Sequence, residues 1–211
     1  MIEAILFDND GVLVDSEPVF VQACIDAARM VGYTVTADDY VRLTMTLGQS
    51  IYQELGLSDG EIEALRKKRD TGYGELLAER DLVLPGVREA VAALAERLRL
   101  AVVTSSRKPF FEQMHRRSEL LPHFDFVLTR EDFEKSKPDP EPYRCGLQRL
   151  GIEAESCLAI EDSPRGVASA VDAGIRCIAI PTELTRGGDF SRAFRVVERM
   201  DDVIDVVDEL S

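Results

Sequence analysis

Short apolar segments alternate with amphipathic segments along most of the chain, and this alternation restricts the fold more than any other feature. Segments of strand type that are each followed by a helical pattern are typical of a parallel sheet with crossover helices. Residues 196–197 add a weaker strand candidate. The predicted strands are Ala4–Phe7, Leu100–Thr104, Asp125–Leu128, Leu158–Ile160 and Cys177–Ile180, and the predicted helices are Val87–Arg97, Pro109–Glu119, Glu141–Leu150, Pro164–Ala173 and Val203–Leu210.

One interval, residues 16–84, carries helical patterning without a convincing strand. Ser58 followed by Glu61 is a capping-box pattern, and Thr36 with Asp39 resembles a second helix start. The sequence therefore predicts an α/β fold, with a Rossmann-like parallel-sheet core formed by residues 1–15 and 85–211. An all-helical cap domain, residues 16–84, is inserted into this core.

The composition narrows the set of partners. The chain has 211 residues, which is enough for one large domain or for a core domain with a modest insert. The net charge of −14 disfavours binding to nucleic acid or to an anionic membrane surface. The cysteines are widely spaced and form no C-x-x-C pair, and the N-terminus lacks the pattern of a signal peptide. We therefore expect a cytoplasmic protein, a monomer or small homo-oligomer, that acts on a small molecule.

The first predicted strand ends in two carboxylates, Asp8 and Asp10, followed by Gly11. Residues i and i+2 of an extended segment point to the same side, so these carboxylates can converge. Such a pair suggests a Mg²⁺ site, a nucleophile with its acid/base partner, or both. A simple Asp-Gly turn is the structural alternative.

Three further polar sites follow predicted strands or precede helices. They are Thr104-Ser105-Ser106, Ser136-Lys137-Pro138-Asp139-Pro140 and Glu161-Asp162-Ser163. Ligands of open α/β sheets bind outside the carboxyl ends of the strands, so we expect all four sites to be neighbours. Carboxylates suit Mg²⁺, whereas hydroxyls, loop N–H groups and a lysine suit phosphate oxygens. Each site alone is also explained by helix capping or by a solvated loop.

The segments DNDGVLVDSE, VVTSS, KSKPDPEPY and IEDSPRG resemble the four motifs of the haloacid dehalogenase superfamily, in the same order. The inserted interval resembles the helical cap of its beta-phosphoglucomutase and phosphoglycolate phosphatase branch. The resemblance implies that Asp8 is a nucleophile and Asp10 a general acid/base. It also implies that Thr104 binds the transferring phosphoryl group and that Lys137 balances charge beside Asp8.

The same resemblance implies a Mg²⁺ site made by Asp8, the backbone carbonyl of Asp10 and Asp162, with Glu161 as a further ligand or a nearby partner. Ser105 and Ser106 would help to bind the phosphate of the substrate. Gln49 and Ser50, in the cap, are the weaker candidates for substrate contacts. The implied activity is Mg²⁺-dependent hydrolysis of a small phosphorylated metabolite, either a sugar phosphate or a phosphoglycolate-like compound, through an aspartyl-phosphate.

The chain also departs from the beta-phosphoglucomutase pattern. Phe20 stands where that pattern has a histidine, and the cap loop Leu47-Gly48-Gln49-Ser50-Ile51 lacks the expected arginine. These departures favour a phosphatase over the alternative, a sugar phosphomutase. A receiver-type phospho-acceptor domain and a non-catalytic binding protein are more distant alternatives. The sequence patterns do not explain why a polar residue, Asn9, stands between the two aspartates, and no motif assigns a role to His115 or His123.

Overall fold

The structure, a computed structural model, describes residues 1–46 and 49–210. The chain divides into two compact units, one formed by Met1–Asp15 with Leu82–Ser211 and one formed by Ser16–Asp81. The units meet at residues 81 and 82 rather than at the predicted 84 and 85. The reason is local: Val83 forms an antiparallel bridge with Val14, and the Leu84 N–H donates to the Leu13 carbonyl.

The first unit contains a six-stranded parallel sheet, which confirms the predicted α/β class. Its strands lie in the order β3-β2-β1-β4-β5-β6. The strands are β1 (Ala4–Phe7), β2 (Arg99–Val103), β3 (Phe126–Leu128), β4 (Cys157–Glu161), β5 (Arg176–Ala179) and β6 (Arg195–Val196). The central strand β1 pairs with β2 on one side and with β4 on the other.

Strand β1 has the predicted bounds because all four of its residues are buried. A strand covered on both faces is a continuous apolar run, which sequence patterns detect well. Ala4 and Leu6 pack in one cluster with residues of the helices that follow β3 and β4, such as Tyr143 and Val167.

The helices of this unit are α4 (Val87–Ala95), α5 (Lys108–Met114), α6 (Glu141–Leu150), α7 (Pro164–Asp172) and α8 (Met200–Leu210). The prediction was wrong at the end of α5, which stops at Met114 rather than Glu119. Ser118 is buried there and its hydroxyl bonds locally, accepting from the Leu120 N–H, a competition that ends helices. Helix α8 begins three residues earlier than predicted, where the Asp202 carboxylate accepts from the backbone N–H of Glu198 and Arg199.

The second unit is helical in its described part, with α1 (Glu17–Arg29), α2 (Ala37–Tyr40) and α3 (Asp59–Ala78). A π-helical segment, Val41–Thr46, follows α2. Both predicted capping boxes, Thr36 with Asp39 and Ser58 with Glu61, are present. Helices α1 and α3 pack on each other around their own apolar cluster, which includes Cys24, Tyr52 and Leu65. No helix within the described residues combines the length and apolar character needed to cross a membrane.

Candidate active site

The predicted site residues of the first unit collect at one edge of the sheet. Asp8 follows β1, Thr104 follows β2, and Glu161 is the last residue of β4. Because β1 lies between β2 and β4 and all three run parallel, their carboxyl ends are adjacent. Lys137 reaches the same place from the loop that precedes α6.

Asp8, Lys137 and Glu161 form a buried ion-pair group. The Lys137 Nζ lies 2.8 Å from Asp8 Oδ1 and 2.6 Å from Glu161 Oε1. It also donates to the Val103 carbonyl at 2.9 Å. Three acceptors therefore hold the ammonium, and its side chain is only 7% exposed. This arrangement places one positive charge directly against the predicted nucleophile.

Burial and a second carboxylate make Asp8 difficult to ionise in the metal-free protein. Its pKa is raised from 3.8 to about 8, chiefly by burial and then by the charge of Glu161, against the opposing effect of Lys137. Burial alone would lower the pKa of Lys137, but Asp8 and Glu161 raise it above its ordinary value. Lys137 is therefore charged at neutral pH, and one cation does not balance the acidic groups around it.

Asp10 faces a second set of donors. Its Oδ2 accepts from the Ser106 hydroxyl at 2.7 Å, the Thr104 hydroxyl at 3.2 Å and the Asn9 amide at 3.3 Å. The backbone N–H of Ser106 in turn donates to the Thr104 Oγ1 at 3.0 Å, which fixes that hydroxyl at the end of β2. The two aspartates thus have separate partners: Asp8 pairs with a cation, whereas Asp10 accepts from neutral groups.

The carboxylates of Asp8, Glu161 and Asp162 can together hold a metal ion, since one oxygen of each lies within 4.8 Å of the others. Two glycines make room for this group. A Cβ on Gly11 would overlap Asp162 Oδ2, and a Cβ on Gly166 would overlap the Glu161 carboxylate. Three buried oxygen donors with one lysine as counter-charge fit a hard divalent cation.

Side chains around the carboxylates fix their orientation. The Tyr143 hydroxyl donates to Glu161 Oε1 at 2.7 Å, so this oxygen accepts from both Tyr143 and Lys137. The Thr185 hydroxyl donates to the Asp162 carbonyl at 2.7 Å. Tyr143 ends the segment KSKPDPEPY, but no role was predicted for it, and Thr185 lies in none of the selected segments. Their partners are distant along the chain, so no local pattern marks them.

The remaining predicted residues lie in different places. Ser105, the second residue after β2, is exposed, whereas the Ser106 hydroxyl contacts Asp10. Gln49 and Ser50 belong to the helical unit, where the Ser50 N–H donates to Gln53 Oε1. Their predicted contact with substrate stays a prediction. Leu47 and Gly48, in the same loop, lie outside the described residues.

Residues 5–180 match the family model described as haloacid dehalogenase-like hydrolase. The chain belongs to the haloacid dehalogenase-like hydrolases. It is 34% identical over 206 residues to Protein CbbY of Rhodobacter capsulatus, with 91% of each chain covered. It is also 34% identical over 184 residues to the phosphorylated carbohydrates phosphatase of Thermotoga maritima, with 83% of each covered.

Solved structures agree with this assignment. CbbY from Rhodobacter sphaeroides, a variant in complex with xylulose-1,5-bisphosphate, matches with a TM-score of 0.83 at 28% identity, covering 95% of each chain. A putative beta-phosphoglucomutase from Thermotoga maritima matches with a TM-score of 0.78 at 29% identity, covering 100% of each. The predicted resemblance to this superfamily is therefore confirmed.

Proposed function

We propose that this hydrolase is a Mg²⁺-dependent phosphatase of small phosphorylated sugars that works through an aspartyl-phosphate on Asp8. The observation that carries the proposal is the pairing of Asp8 with Lys137 at 2.8 Å beside the carboxylates of Glu161 and Asp162. A carboxylate can attack phosphorus only if the repulsion between two anions is offset. Lys137 supplies part of that offset.

Asp8, Glu161, Asp162 and the Asp10 backbone carbonyl are the groups that would hold Mg²⁺. The bound ion would supply positive charge against the phosphate oxygens and would lower the pKa of Asp8. The raised pKa of Asp8, about 8, supports this assignment because burial and then the charge of Glu161 oppose its ionisation more than Lys137 favours it, and a cation would favour the ionised form.

Two proton transfers by Asp10 complete the reaction. In the first step Asp8 Oδ attacks phosphorus, the bond from phosphorus to the sugar oxygen breaks, and Asp10 gives its proton to that oxygen. In the second step Asp10 takes a proton from water as the water oxygen attacks phosphorus. The bond between phosphorus and Asp8 then breaks and inorganic phosphate leaves. The Thr104 hydroxyl, which lies 3.2 Å from Asp10 Oδ2, would donate to a phosphate oxygen.

The relatives support sugar phosphates as the substrate class. They include the Thermotoga maritima phosphatase and, at 30% identity over 187 residues, hexitol phosphatase B of Escherichia coli. The alternative, a phosphomutase, is supported less well, because Phe20 replaces the histidine of that pattern. Within the helical unit, the Phe20 ring packs edge-on against Tyr73 at 5.1 Å and under the Arg69 guanidinium at 4.8 Å.

The test is a hydrolysis screen over phosphorylated sugars, phosphoglycolate and p-nitrophenyl phosphate, with Mg²⁺ or with EDTA. We expect Mg²⁺-dependent release of phosphate from at least one sugar phosphate, and none from Asp8→Asn. Acid-quenched reactions of the wild-type protein should yield a phosphorylated peptide that contains Asp8. Asp125→Asn, at an exposed residue that pairs with Arg99 before β3, is the matched control and should keep full activity.

Two results would overturn the proposal. Hydrolysis that persists in Asp8→Asn would exclude Asp8 as the nucleophile. Isomerised sugar phosphate, detected by phosphorus NMR and dependent on added sugar bisphosphate, would assign the chain to the mutases instead.

A further inference from the structure

A buried polar cluster adjoins Asp10 and takes no direct part in the proposed reaction. It consists of Asn9, His115 and Ser118, of which Asn9 and Ser118 are fully buried and His115 is 4% exposed. Buried polar side chains are costly unless they are hydrogen-bonded, so a complete network of them calls for an explanation. Asn9 lies between the two catalytic aspartates, whereas His115 and Ser118 follow α5.

The three side chains form a continuous chain of hydrogen bonds that ends on Asp10. Ser118 Oγ lies 2.9 Å from His115 Nδ1, and His115 Nε2 lies 2.7 Å from Asn9 Oδ1. The Asn9 amide nitrogen then donates to Asp10 Oδ2 at 3.3 Å and to the sulfur of Met114 at 3.2 Å. The contacts of Asn9 with His115 and Met114 join residues more than one hundred positions apart in sequence.

The chemistry of the groups fixes the direction of donation. The Asn9 nitrogen donates to Asp10 Oδ2 and to the Met114 sulfur, so the Asn9 oxygen faces His115. The His115 Nε2 must therefore carry a hydrogen. If the ring is neutral, its Nδ1 is an acceptor, and the Ser118 hydroxyl, whose other acceptor is the His115 carbonyl at 3.2 Å, donates to it.

The surroundings of the imidazole keep it neutral and in place. Burial lowers the pKa of His115 to about 4, although the charge of Asp10 acts in the opposite direction. The ring stacks on Phe111 with 4.3 Å between centroids. At the far end, Ser118 Oγ accepts from the Leu120 N–H at 3.2 Å, and the Ser118 carbonyl accepts from Arg88 at 3.0 Å. The network is thus anchored to backbone at its far end.

The Asn9 donor differs in kind from the other two donors to Asp10. The hydroxyls of Thr104 and Ser106 can rotate toward a bound phosphate, because a hydroxyl hydrogen turns about its C–O bond. The Asn9 amide cannot do so while His115 holds its oxygen. One donor to Asp10 Oδ2 therefore stays in place when the substrate draws the hydroxyls away.

We propose that Asn9 and His115 are positioning residues that hold the Asp10 carboxyl group in the orientation required for proton transfer. The inference rests on the proposed function, in which Asp10 is the acid/base. It predicts that loss of the His115 N–H lowers kcat and leaves KM nearly unchanged, since substrate binding does not depend on this network. The expected loss is about tenfold, by analogy with the lower end of the effect of removing a partner that orients a metal ligand.

The test compares His115→Leu with His115→Gln, because the Gln amide can supply an N–H near the position of Nε2. We expect a reduced kcat in His115→Leu and recovery of most of it in His115→Gln. The loss should be larger for a sugar phosphate than for p-nitrophenyl phosphate, whose phenolate leaves without a proton. His123→Gln, in the turn Leu121–His123, is the matched control and should behave as the wild-type protein.

A double variant, Asn9→Leu with His115→Leu, separates positioning from stability. Replacing both partners by apolar groups removes the unpaired polar group that a single substitution leaves behind. Thermal stability should then rise above that of His115→Leu, while kcat stays low. If kcat returns together with stability, the network is only structural and the proposal is wrong.

Nitrogen NMR of the imidazoles distinguishes failure of this inference from failure of the proposed function. The chain has only two histidines, so His123→Gln assigns the signals. We expect a neutral His115 ring protonated at Nε2. A ring protonated at Nδ1, or a full kcat in His115→Leu, refutes the positioning role. An inactive wild-type protein with the expected ring signals would instead refute the proposed function, and with it the role of Asp10.

Discussion

Asp8→Asn should stabilise the metal-free protein while it abolishes turnover. The Asp8 carboxyl has a pKa near 8 in the folded protein and near 3.8 as a free side chain. The folded state therefore binds more protons than the unfolded state between these values. By linkage, the contribution of Asp8 to stability is present below pH 4 and is lost as the pH rises toward 8.

The expected size follows from the same shift. Each pH unit in this window costs the wild-type protein about 1.4 kcal/mol, so the loss between pH 4 and pH 7 is about 4 kcal/mol. Asparagine does not titrate and keeps a side-chain oxygen for Lys137, which also retains Glu161 at 2.6 Å. The variant should therefore become progressively more stable than the wild-type protein as the pH rises to 8.

The assay is urea unfolding in EDTA at several pH values, followed by far-UV circular dichroism since the chain has no tryptophan. The matched control is Asp39→Asn, at an exposed capping residue whose pKa is lowered, first of all by its hydrogen bond from Thr36. The stability that Asp39 contributes is present above its ordinary pKa, so its loss should not vary between pH 5 and pH 8. Added Mg²⁺ should stabilise the wild-type protein, by about 2.7 kcal/mol at a concentration of 100 times Kd, and Asp8→Asn much less.

A stability difference between Asp8→Asn and wild type that is constant from pH 5 to pH 8 would refute the reasoning. It would mean that the charge of Lys137 fully offsets the effects of burial and of Glu161 on Asp8, so that the pKa of the Asp8 carboxyl stays at its ordinary value.

Three further predictions concern the metal ligands. Gly166→Ala places a Cβ where the Glu161 carboxylate lies, so Mg²⁺ affinity should fall and unfolding should become easier by about 1–3 kcal/mol, as calorimetry and urea unfolding can measure. Tyr143→Phe removes the hydroxyl that donates to Glu161 at 2.7 Å, and titration calorimetry should show Mg²⁺ binding weaker by about tenfold with the ring packing retained. Below pH 8, Mg²⁺ binding should release up to one proton from Asp8 and strengthen as the pH rises, which calorimetry in buffers of different ionisation enthalpy detects.

Each of these has a clear contrary result. Unchanged Mg²⁺ affinity in Gly166→Ala would show that the Glu161 carboxylate is not needed at its present position. Unchanged affinity in Tyr143→Phe would show that Lys137 alone orients it. Binding heats that are independent of the buffer would show that Asp8 is already ionised before the metal arrives.

The strands that carry the site could be predicted because they are buried on both faces. Such strands are unbroken apolar runs, and the polar residues at their ends stand out against them. The strands β1 and β4 were found in this way, together with Asp8, Thr104, Glu161 and Asp162. The end of α5 was predicted wrongly because a serine at position 118 is compatible with a helical pattern. Only the structure shows that its hydroxyl is buried and accepts from the Leu120 N–H.

The sequence by itself determined the α/β class, the helical insert and the order of the four polar segments, since each depends on local periodicity or on residues adjacent in the chain. Only the tertiary structure decided which groups face one another. It paired Lys137 with two carboxylates, supported Glu161 with Tyr143 and Gly166, and joined Asn9 to a histidine that no motif marked. The physical reason is that a hydrogen bond or an ion pair acts over a few ångströms in space. Its two partners can lie a hundred residues apart, where no sequence pattern connects them.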